Sequence, residues 1–231
     1  MRVRIYQIDT EKDTNRVKFM DYDYLKQHGG LNPAVYRCVY AGPINADSIE
    51  DVFRVLNQDE CPGTYQGHSL SVSDIVEDMD TGKCLFCDSF GWRDVDFDTS
   101  QCAEMEGLRV LMIQPHEAPV ETHVVDDLSH WQRAVSEHSE DSLMEVTYPF
   151  EDGTLVISNE ESKLIGMEGN RHINGAVYAG PLFIAGDTGY GEFRGLTDDE
   201  VQRYSEKFAQ PEEISQDEVE ADTGFMIWGL G

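Results

Sequence analysis

Two cysteines three residues apart form the pattern in this chain that is most typical of a metal or redox site. Cys84 and Cys87 enclose a leucine and a phenylalanine, and the CxxC spacing serves zinc knuckles and thiol redox centres on tight turns or helix starts. Here the pair lies in an apolar run that predicts a strand, on which residues three apart point to opposite faces. The sequence has no second CxxC. We therefore expect two small buried hydrophobic side chains, and no metal or other cofactor.

Four histidines recur at nearly seven-residue spacing and raise the same question about a metal. They are His116, His123, His130 and His138. Imidazole beside carboxylate is a common ligand set for transition metals. The four fall on a predicted turn, strand and helix, so the spacing does not place them on one face. We interpret them as surface side chains.

Three other segments contain residues with chemical potential. Residues 67–74 (GHSLSVSD) bring serine, histidine and aspartate together, but the GxSxG elbow of serine hydrolases is absent from the sequence. The glycine-rich stretch 185–191 (AGDTGYG) lacks the GK[ST] ending of a phosphate-binding loop. Asn170, Arg171 and Arg194 could bind an anion, and we prefer neutralisation of neighbouring carboxylates. The sequence predicts turns and caps here, and no catalytic residue.

The net charge narrows the classes of partner. The 231 residues include 17 basic and 45 acidic side chains, a net charge of -28. Nucleic acids and anionic membranes are bound through lysine and arginine, so this field argues against direct binding of either. Residues 1–103 carry a net charge of -8 and residues 104–231 a net charge of -20. The second half therefore holds most of the field.

The acidic side chains of the second half are the candidate partner-binding residues. A single acidic cluster is usually a solvated surface. A larger set held on rigid helices can imitate the charge spacing of a nucleic-acid backbone. We predict that the set binds the basic surface of a host nucleic-acid-binding protein or nuclease, with electrostatically steered association. The set consists of Asp126, Asp127, Glu137, Glu140, Asp141, Asp198, Asp199, Glu200 and Glu206.

Hydrophobic periodicity predicts an α+β chain of two small modules, each a mostly antiparallel sheet with one or two helices. The class follows because hairpin signals outnumber strand–helix–strand alternation. In the first module, residues 1–100, strands are predicted at 2–8, 36–40, 83–88 and 92–97. One helix is expected to begin after Asp47 as its N-cap, and a short one after Ser71.

The second module is predicted at residues 105–210, after a polar stretch at 98–107 that we interpret as the domain boundary. Strands are predicted at 108–113, 120–125, 144–150, 154–158, 177–178 and 182–185. Asp126 as a cap and a capping box at Thr197 predict the starts of two helices. Residues 211–231 contain six acidic and no basic residues. They predict an acidic tail whose apolar end docks on its own domain or serves as a short peptide ligand.

Two features give an expectation about the compartment. No apolar run approaches the roughly 20 residues of a membrane span, and the first eight residues (MRVRIYQI) do not resemble a signal peptide. Five cysteines, an odd number, lie in the first half and favour reduced thiols over a disulfide framework. We expect a cytoplasmic protein without a membrane partner.

Several longer segments carry a family resemblance. RIYQIDTEKDTNRVKFMDYD, GHSLSVSDIVE and CLFCDSFGWRDVDF lie between residues 4 and 97, and this stretch resembles the YodL-like domain. WQRAV, VTYPFEDGTLVISNEESKLIGMEGNR and AGPLFIAGD lie between about residues 108 and 211 and resemble a second family of unknown function often found beside it. Neither resemblance implies an activity or a catalytic residue. The pairing implies a protein of conjugative elements, plasmids and phages, near DNA-transfer and antirestriction genes.

Charge and implied context together favour a non-catalytic acidic protein of a mobile genetic element. The first hypothesis is counter-defence, in which the protein is an inhibitor or nucleic-acid mimic that competes for the groove of a restriction or CRISPR-type nuclease. In charge the chain resembles acidic antirestriction proteins, although it has none of their sequence motifs. The second hypothesis is an adaptor or regulator in conjugative DNA processing, whose acidity serves solubility. The third is an enzyme with an unrecognised site.

Overall fold

The chain is organised around two antiparallel sheets, one in each half of the sequence. The computed structural model describes residues 1–58, 61–136 and 142–227, with side chains through residue 222. Residue contacts divide the chain into Met1–Glu106 and Gly107–Gly231, called here the N-terminal and the C-terminal module. Each has a sheet-rich core with few helices, which confirms the predicted α+β class.

The N-terminal module has a five-stranded sheet in the order β2-β1-β3-β4-β5, with every neighbouring pair antiparallel. Its strands are β1 (Arg2–Ile8), β2 (Tyr36–Pro43), β3 (Ile75–Asp78), β4 (Lys83–Cys87) and β5 (Trp92–Val95). Its α-helices are α1 (Tyr22–Gln27) and α2 (Ile49–Val55), and short 3-10 turns lie at Pro33–Val35 and Thr99–Gln101. Strand β1 has a partner on both sides, as β3 and β4 also do.

Side chains of β1 enter two apolar cores, because successive residues of a strand point to opposite faces. Val3 and Ile5 pack with Val52 of α2 in one core. After a register shift between Ile5 and Tyr6, Tyr6 packs in the other core with Leu25 of α1. The sheet is covered on both faces, which explains why the burial of β1 is nearly continuous.

The helix predicted after Ser71 is wrong. The N–H of Asp74 donates to the carbonyl oxygen of Ser71 (3.1 Å) and closes a turn. The chain then enters β3, which pairs with β1. Ile75 and Val76 point into opposite cores, and such β-branched side chains suit a strand that is covered on both faces.

The C-terminal module has a larger antiparallel sheet in the order β7-β6-β12-β9-β8, with β13 paired to β12, and a separate hairpin of β10 and β11. The strands are β6 (Leu108–Ile113), β7 (Val120–Val124), β8 (Met144–Thr147), β9 (Thr154–Asn159), β10 (Gly169–Ile173), β11 (Ala176–Ala179), β12 (Leu182–Asp187) and β13 (Phe193–Arg194). The helices are α3 (Leu128–Ala134), α4 (Asp198–Lys207) and α5 (Gln216–Ile227).

Helices α3 and α4 lie on opposite faces of this sheet. Val110 of β6 packs in one core with Trp131 of α3. Its neighbour Leu111 packs in the other core with Tyr204 of α4. Adjacent residues of a strand point to opposite faces, so the two helices are separated by the sheet.

Two helices begin one residue later than predicted. Ser48 rather than Asp47 is the N-cap of α2, and Asp127 rather than Asp126 is the N-cap of α3. In each case two adjacent residues have side chains that can cap. The predicted capping box of α4 is present, since Thr197 and Glu200 bond reciprocally.

The polar stretch 98–107 packs on the N-terminal module over most of its length. The N–H of Ala103 donates to the carbonyl oxygen of Tyr36 (2.9 Å), and the N–H of Cys38 donates back to Ala103 (2.9 Å). Met105 is 7% exposed and belongs to the core beside α1. The polar composition concealed this packing, and the division between the modules falls after Glu106.

The segment after Pro211 contains α5, and part of it is buried. Val219 of this helix is fully buried and Ile214 is 8% exposed. Both pack against the β10–β11 hairpin in a small apolar cluster. Over the part of the chain that the structure describes, none of the helices is long and apolar enough to cross a membrane.

A buried arginine connects three parts of the C-terminal module. Arg171 of β10 is fully buried, and its Nη1 donates to the carbonyl oxygen of Asn170 (2.8 Å). Its Nη2 donates to the carbonyl oxygens of Glu117 (2.6 Å) and Phe208 (3.4 Å). The expected pairing of Arg171 with carboxylates is therefore replaced by bonds to backbone oxygens, which satisfy the end of α4. Strand β10 was not predicted, because these polar residues conceal its burial.

Replacing this arginine tests its structural role. Arg171→Met keeps much of the side-chain length but leaves three buried carbonyl groups without their donor, so we expect a loss of roughly 2 to 4 kcal/mol in stability. The control Arg203→Met alters an arginine whose side chain is 53% exposed, and its expected effect is below about 1 kcal/mol. Urea unfolding with hydrogen exchange of β12 peptides reports on this module. Equal losses in the two variants would contradict the assigned role.

Candidate functional site

The C-terminal module contains 7 basic and 25 acidic residues, a net charge of -18. Three of its arginines are engaged with carboxylates of the module. Arg109 contacts Glu121 (2.7 Å) and Asp198 (2.5 Å). Arg194 forms two hydrogen bonds to Glu200 (2.7 and 2.8 Å). Arg203 pairs with Asp152, so these cations are held in internal pairs.

Three further basic side chains are also used inside the module. Lys163 pairs with Asp222, and Arg171 is buried among carbonyl groups. The ammonium group of Lys207 lies 4.4 Å from the centroid of the Phe150 ring, a favourable cation–π position. Six of the seven basic side chains are therefore engaged within the module, and most of its acidic surplus has no cation left to neutralise it.

The predicted partner-binding residues near α3 are exposed and already have structural roles. Asp126 accepts a hydrogen bond from Trp131 Nε1 (3.1 Å). Asp127 caps α3 and accepts from the N–H of His130 (2.9 Å) and the hydroxyl of Ser129 (2.7 Å). These bonds lower the pKa of Asp127 to about 2, so its carboxylate stays ionised at neutral pH. Both carboxylates retain accessible surface.

The predicted residues on α4 differ in exposure. Asp198, Asp199 and Glu206 are exposed. Glu200 is only 8% exposed and faces inward to Arg194 and Thr197. The bonds from Arg194 lower the pKa of Glu200 to about 2. Glu200 is thus an internal structural carboxylate, and the exposed acidic positions of this helix are the other three.

The nine predicted residues do not lie together. Asp126 and Asp127 belong to the α3 side of the sheet, whereas Asp198, Asp199 and Glu206 belong to the α4 side. Glu200 is the internal carboxylate of α4, and the other three, Glu137, Glu140 and Asp141, lie outside the described residues. The structure therefore offers two acidic groups on opposite faces of one sheet.

The group on α4 is the more extended of the two, and we call it the α4 acidic surface. It consists of Asp152, Asp198, Asp199 and Glu206. Asp152 was predicted only as part of a turn, and it accepts from the hydroxyl of Tyr204 (2.8 Å). Asp199 and Glu206 are seven residues apart on one helix, about 10 Å along its axis. That is about three phosphate steps of 3.4 Å along a nucleic-acid strand.

A second candidate site is a buried polar cluster in the N-terminal module. Asp74 is fully buried, and its Oδ2 accepts from Gln7 Nε2 (3.0 Å) and from the N–H of Ser71 (2.8 Å). His68 Nδ1 lies 3.9 Å from the same oxygen. Burial raises the pKa of Asp74 to about 7. Convergent polar groups with a shifted pKa are one signature of catalytic sites.

The hydrogen bonds of this cluster connect a loop of the N-terminal module to strand β1. Gln7 Nε2 also donates to the carbonyl oxygen of His68 (2.8 Å), and Gln7 Oε1 accepts from the N–H of His68 (3.0 Å). The hydroxyl of Tyr65 donates to the same carbonyl (2.6 Å), and the ring of Phe19 packs 5.0 Å from the imidazole. These bonds fasten the loop before β3 onto β1. Gln7 alternates with Val3 and Ile5 along the strand, and this two-residue period is the sequence signal for its burial.

The cysteine pair and the histidines singled out in the sequence lie in the following positions in the structure. Cys84 and Cys87 are buried, and burial raises their thiol pKa values to about 11 and about 12, so both stay protonated. His130 contacts Asp127, and His116 lies near carboxylates on a turn of the same module. Across residues 1–58, 61–136 and 142–227, His, Cys, Asp and Glu side chains form no group of three that could hold a metal ion.

The buried carboxyl of Asp74 should make the stability of the N-terminal module depend on pH. Its pKa is raised from 3.8 to about 7, so the stabilisation is complete below pH 4 and is lost as the pH rises through about 7. Asp74→Asn is neutral throughout and should be about 2 kcal/mol more stable than the parent at pH 8. Urea unfolding with hydrogen exchange of peptides from residues 2–87 measures this. The control Asp94→Asn changes an exposed carboxylate, and parallel pH curves for Asp74→Asn and the parent would refute the assignment.

Family models match both modules. Residues 2–97 match the YodL-like domain, and residues 108–209 match a domain of unknown function, DUF3846. No curated protein and no solved structure gives a significant match. Each matched range lies within one structural module, and the segment from residue 210 lies outside both ranges. The chain therefore carries a YodL-like domain followed by a DUF3846 domain.

Proposed function

We propose that this protein acts without chemistry of its own, as an acidic protein that occupies the basic nucleic-acid groove of a host nuclease. Its biological role would be counter-defence for a mobile genetic element, with a restriction or CRISPR-type nuclease as the partner. The α4 acidic surface is the part that would enter the groove. Direct contact with nucleic acid or with a membrane is no part of the proposal.

One observation carries the proposal. Six of the seven basic side chains of the C-terminal module are engaged internally, while Asp199 and Glu206 stay exposed. Neither of these two carboxylates is paired with a basic side chain in the described part of the chain. Solubility requires only a net charge, and it does not require that nearly all basic side chains be engaged inside the module.

The arrangement on α4 is rigid enough to present charge at fixed spacing. The helix begins with a capping box, its Glu200 is tied to Arg194, and its Tyr204 is buried against the sheet. Asp198 is held by Arg109. A fixed array of carboxylates loses little conformational entropy on binding, which favours association with an equally ordered basic groove.

The catalytic alternative has less support. The buried cluster around Asp74 combines a shifted pKa with polar neighbours, but Asp74 is fully buried, and its neighbours bond to one another. A substrate would have to displace Gln7 and the loop of His68 to reach it. Binding through the surface of the C-terminal module requires no such rearrangement.

A charge-neutralising variant tests the proposed surface. Asp199→Asn with Glu206→Gln in the full chain should raise the concentration for half-inhibition of a purified restriction or RNA-guided nuclease roughly three- to tenfold at low salt. For the parent, inhibition should weaken steeply between about 50 and 200 mM NaCl. DNA cleavage in the presence of titrated protein is the measurement.

The matched control removes the same two charges elsewhere on the module. Glu160→Gln with Glu161→Gln changes two exposed carboxylates that follow β9, and inhibition should remain within about twofold of the parent. Inhibition that is insensitive to salt, or an equal loss in both double variants, would count against the α4 acidic surface.

A cellular experiment separates counter-defence from a role in conjugation. Expression of the protein should increase transformation of a restriction-proficient host by unmodified plasmid, with no effect in a restriction-deficient host. The Asp199→Asn, Glu206→Gln variant should lose most of this protection. No protection, together with a fall in conjugal transfer when the protein is deleted from its element, would favour the adaptor or regulator instead.

A further inference from the structure

The segment that follows α4 is held on the C-terminal module by a small number of contacts. We call residues 211–222 the strap, and they lie beyond the range matched by the family models. Its Ile214 and Val219 pack with Met167 and with two residues of β11 in an isolated apolar cluster. A Cβ atom at Gly169 would lie 2.6 Å from Cβ of Ile214, so glycine is what permits this close approach.

Histidine forms the central polar contact of the strap. His172 of β10 has both ring nitrogens directed at strap carboxylates, with Nδ1 2.7 Å from Glu212 and Nε2 3.2 Å from Glu218. A neutral imidazole can donate from one nitrogen only, whereas imidazolium donates from both. The arrangement is therefore fully satisfied only when His172 carries a proton on each nitrogen.

A second histidine repeats the arrangement at longer distances. His116 lies 3.5 Å from Glu213 of the strap and 3.7 Å from Glu168, which precedes β10. The other charged contact of the strap is Lys163 with Asp222. Among the described groups that contact the strap carboxylates, His172 is the one whose two ring nitrogens both lie within 3.2 Å of them.

We propose that the strap is a proton-controlled closure, held on the β10–β11 hairpin by charged His172 and released when this imidazole becomes neutral. Release would uncover the apolar side chains of Met167, Val177 and Ala179, and would detach the strap carboxylates from the module. The inference does not depend on the partner or on the α4 acidic surface.

The direction of the pH effect follows from the charges. The hydrogen bond to Glu212 is the main cause that raises the pKa of His172, partial burial lowers it, and the charges of Glu212 and Glu218 raise it further. A raised pKa in the closed state stabilises closure below the ordinary value of 6.5, and this contribution is lost as the pH rises through the raised value. The charge of Arg171, fixed beside Glu212, does not change in this range.

The effect should be moderate, because the groups are partly exposed. The side chains of His172, Glu212 and Glu218 are 39%, 38% and 47% exposed, and solvent weakens such pairs. Buried Val219 and Ile214 hold the strap in either charge state. We expect the ratio of closed to open strap to fall roughly three- to tenfold between about pH 6 and pH 8.5.

The experiment uses the full chain and follows the amide and methyl groups of Val219 by NMR at pH 6 and pH 8.5. The hydrogen-exchange protection factor of Val219 should fall at the higher pH, while that of Phe183 in β12 stays constant as an internal reference. His116→Gln with His172→Gln should show low, pH-independent protection at Val219. His130→Gln makes the same chemical change on α3, and it should keep the pH dependence of the parent.

Three results would contradict the proposal. The first is equal protection of Val219 at both pH values in the parent. The second is parent-like pH dependence in the double glutamine variant. Because glutamine could disturb folding, His172→Lys supplies an independent test, since its permanent charge should reduce the loss of protection at pH 8.5. A loss as large as in the parent would also contradict the proposed closure. Failure of nuclease inhibition would leave all three outcomes unchanged.

Discussion

The C-terminal module depends on one buried charge. Arg171 donates to the carbonyl oxygens of Asn170, Glu117 and Phe208, and so connects β10 to the turn after β6 and to the end of α4. A buried guanidinium is costly unless its donors find acceptors, and Nη1 and Nη2 find theirs where these three parts of the module meet. Helix α4 carries the exposed acidic residues, and β10 carries His172. The same arginine therefore helps to position both the proposed partner surface and the strap.

The distribution of charge gives the module a second constraint. Its cations are placed where they fix structure: Arg109 joins β6 to α4, Arg194 joins β13 to α4, and Lys163 holds the strap. Each exposed carboxylate without such a partner adds to a field that the fold must tolerate. The stability needed to tolerate it comes from the two apolar cores on either side of the sheet. Strong acidity and a well-packed interior are in this sense linked.

Much of the fold is readable from the sequence because hairpins and caps are local signals. The hairpin of β4 and β5 and the capping box at Thr197 are each specified within thirteen residues or fewer. The failures involve residues whose role depends on partners in other secondary-structure elements. The sequence of β10 is polar, and its burial is possible because Arg171 bonds to carbonyl groups 37 and 54 residues away. Glu200 is predicted as a surface charge because the sequence does not show that Arg194 lies beside it. The opposition of α3 and α4 across the sheet depends on strand order, which no local pattern encodes.

The interior position of β1 in the N-terminal sheet, between β2 and β3, bears on how this half of the chain folds during synthesis. Residues 2–8 pair with β2 and, across about 70 residues of chain, with β3. During synthesis on the ribosome, one edge of β1 therefore stays unpaired until residues 75–78 have left the exit tunnel. Pairings of such long sequence separation slow folding, and an unpaired apolar strand invites association with other chains. We therefore expect the rate of translation between residues 8 and 75 to affect the yield of folded protein.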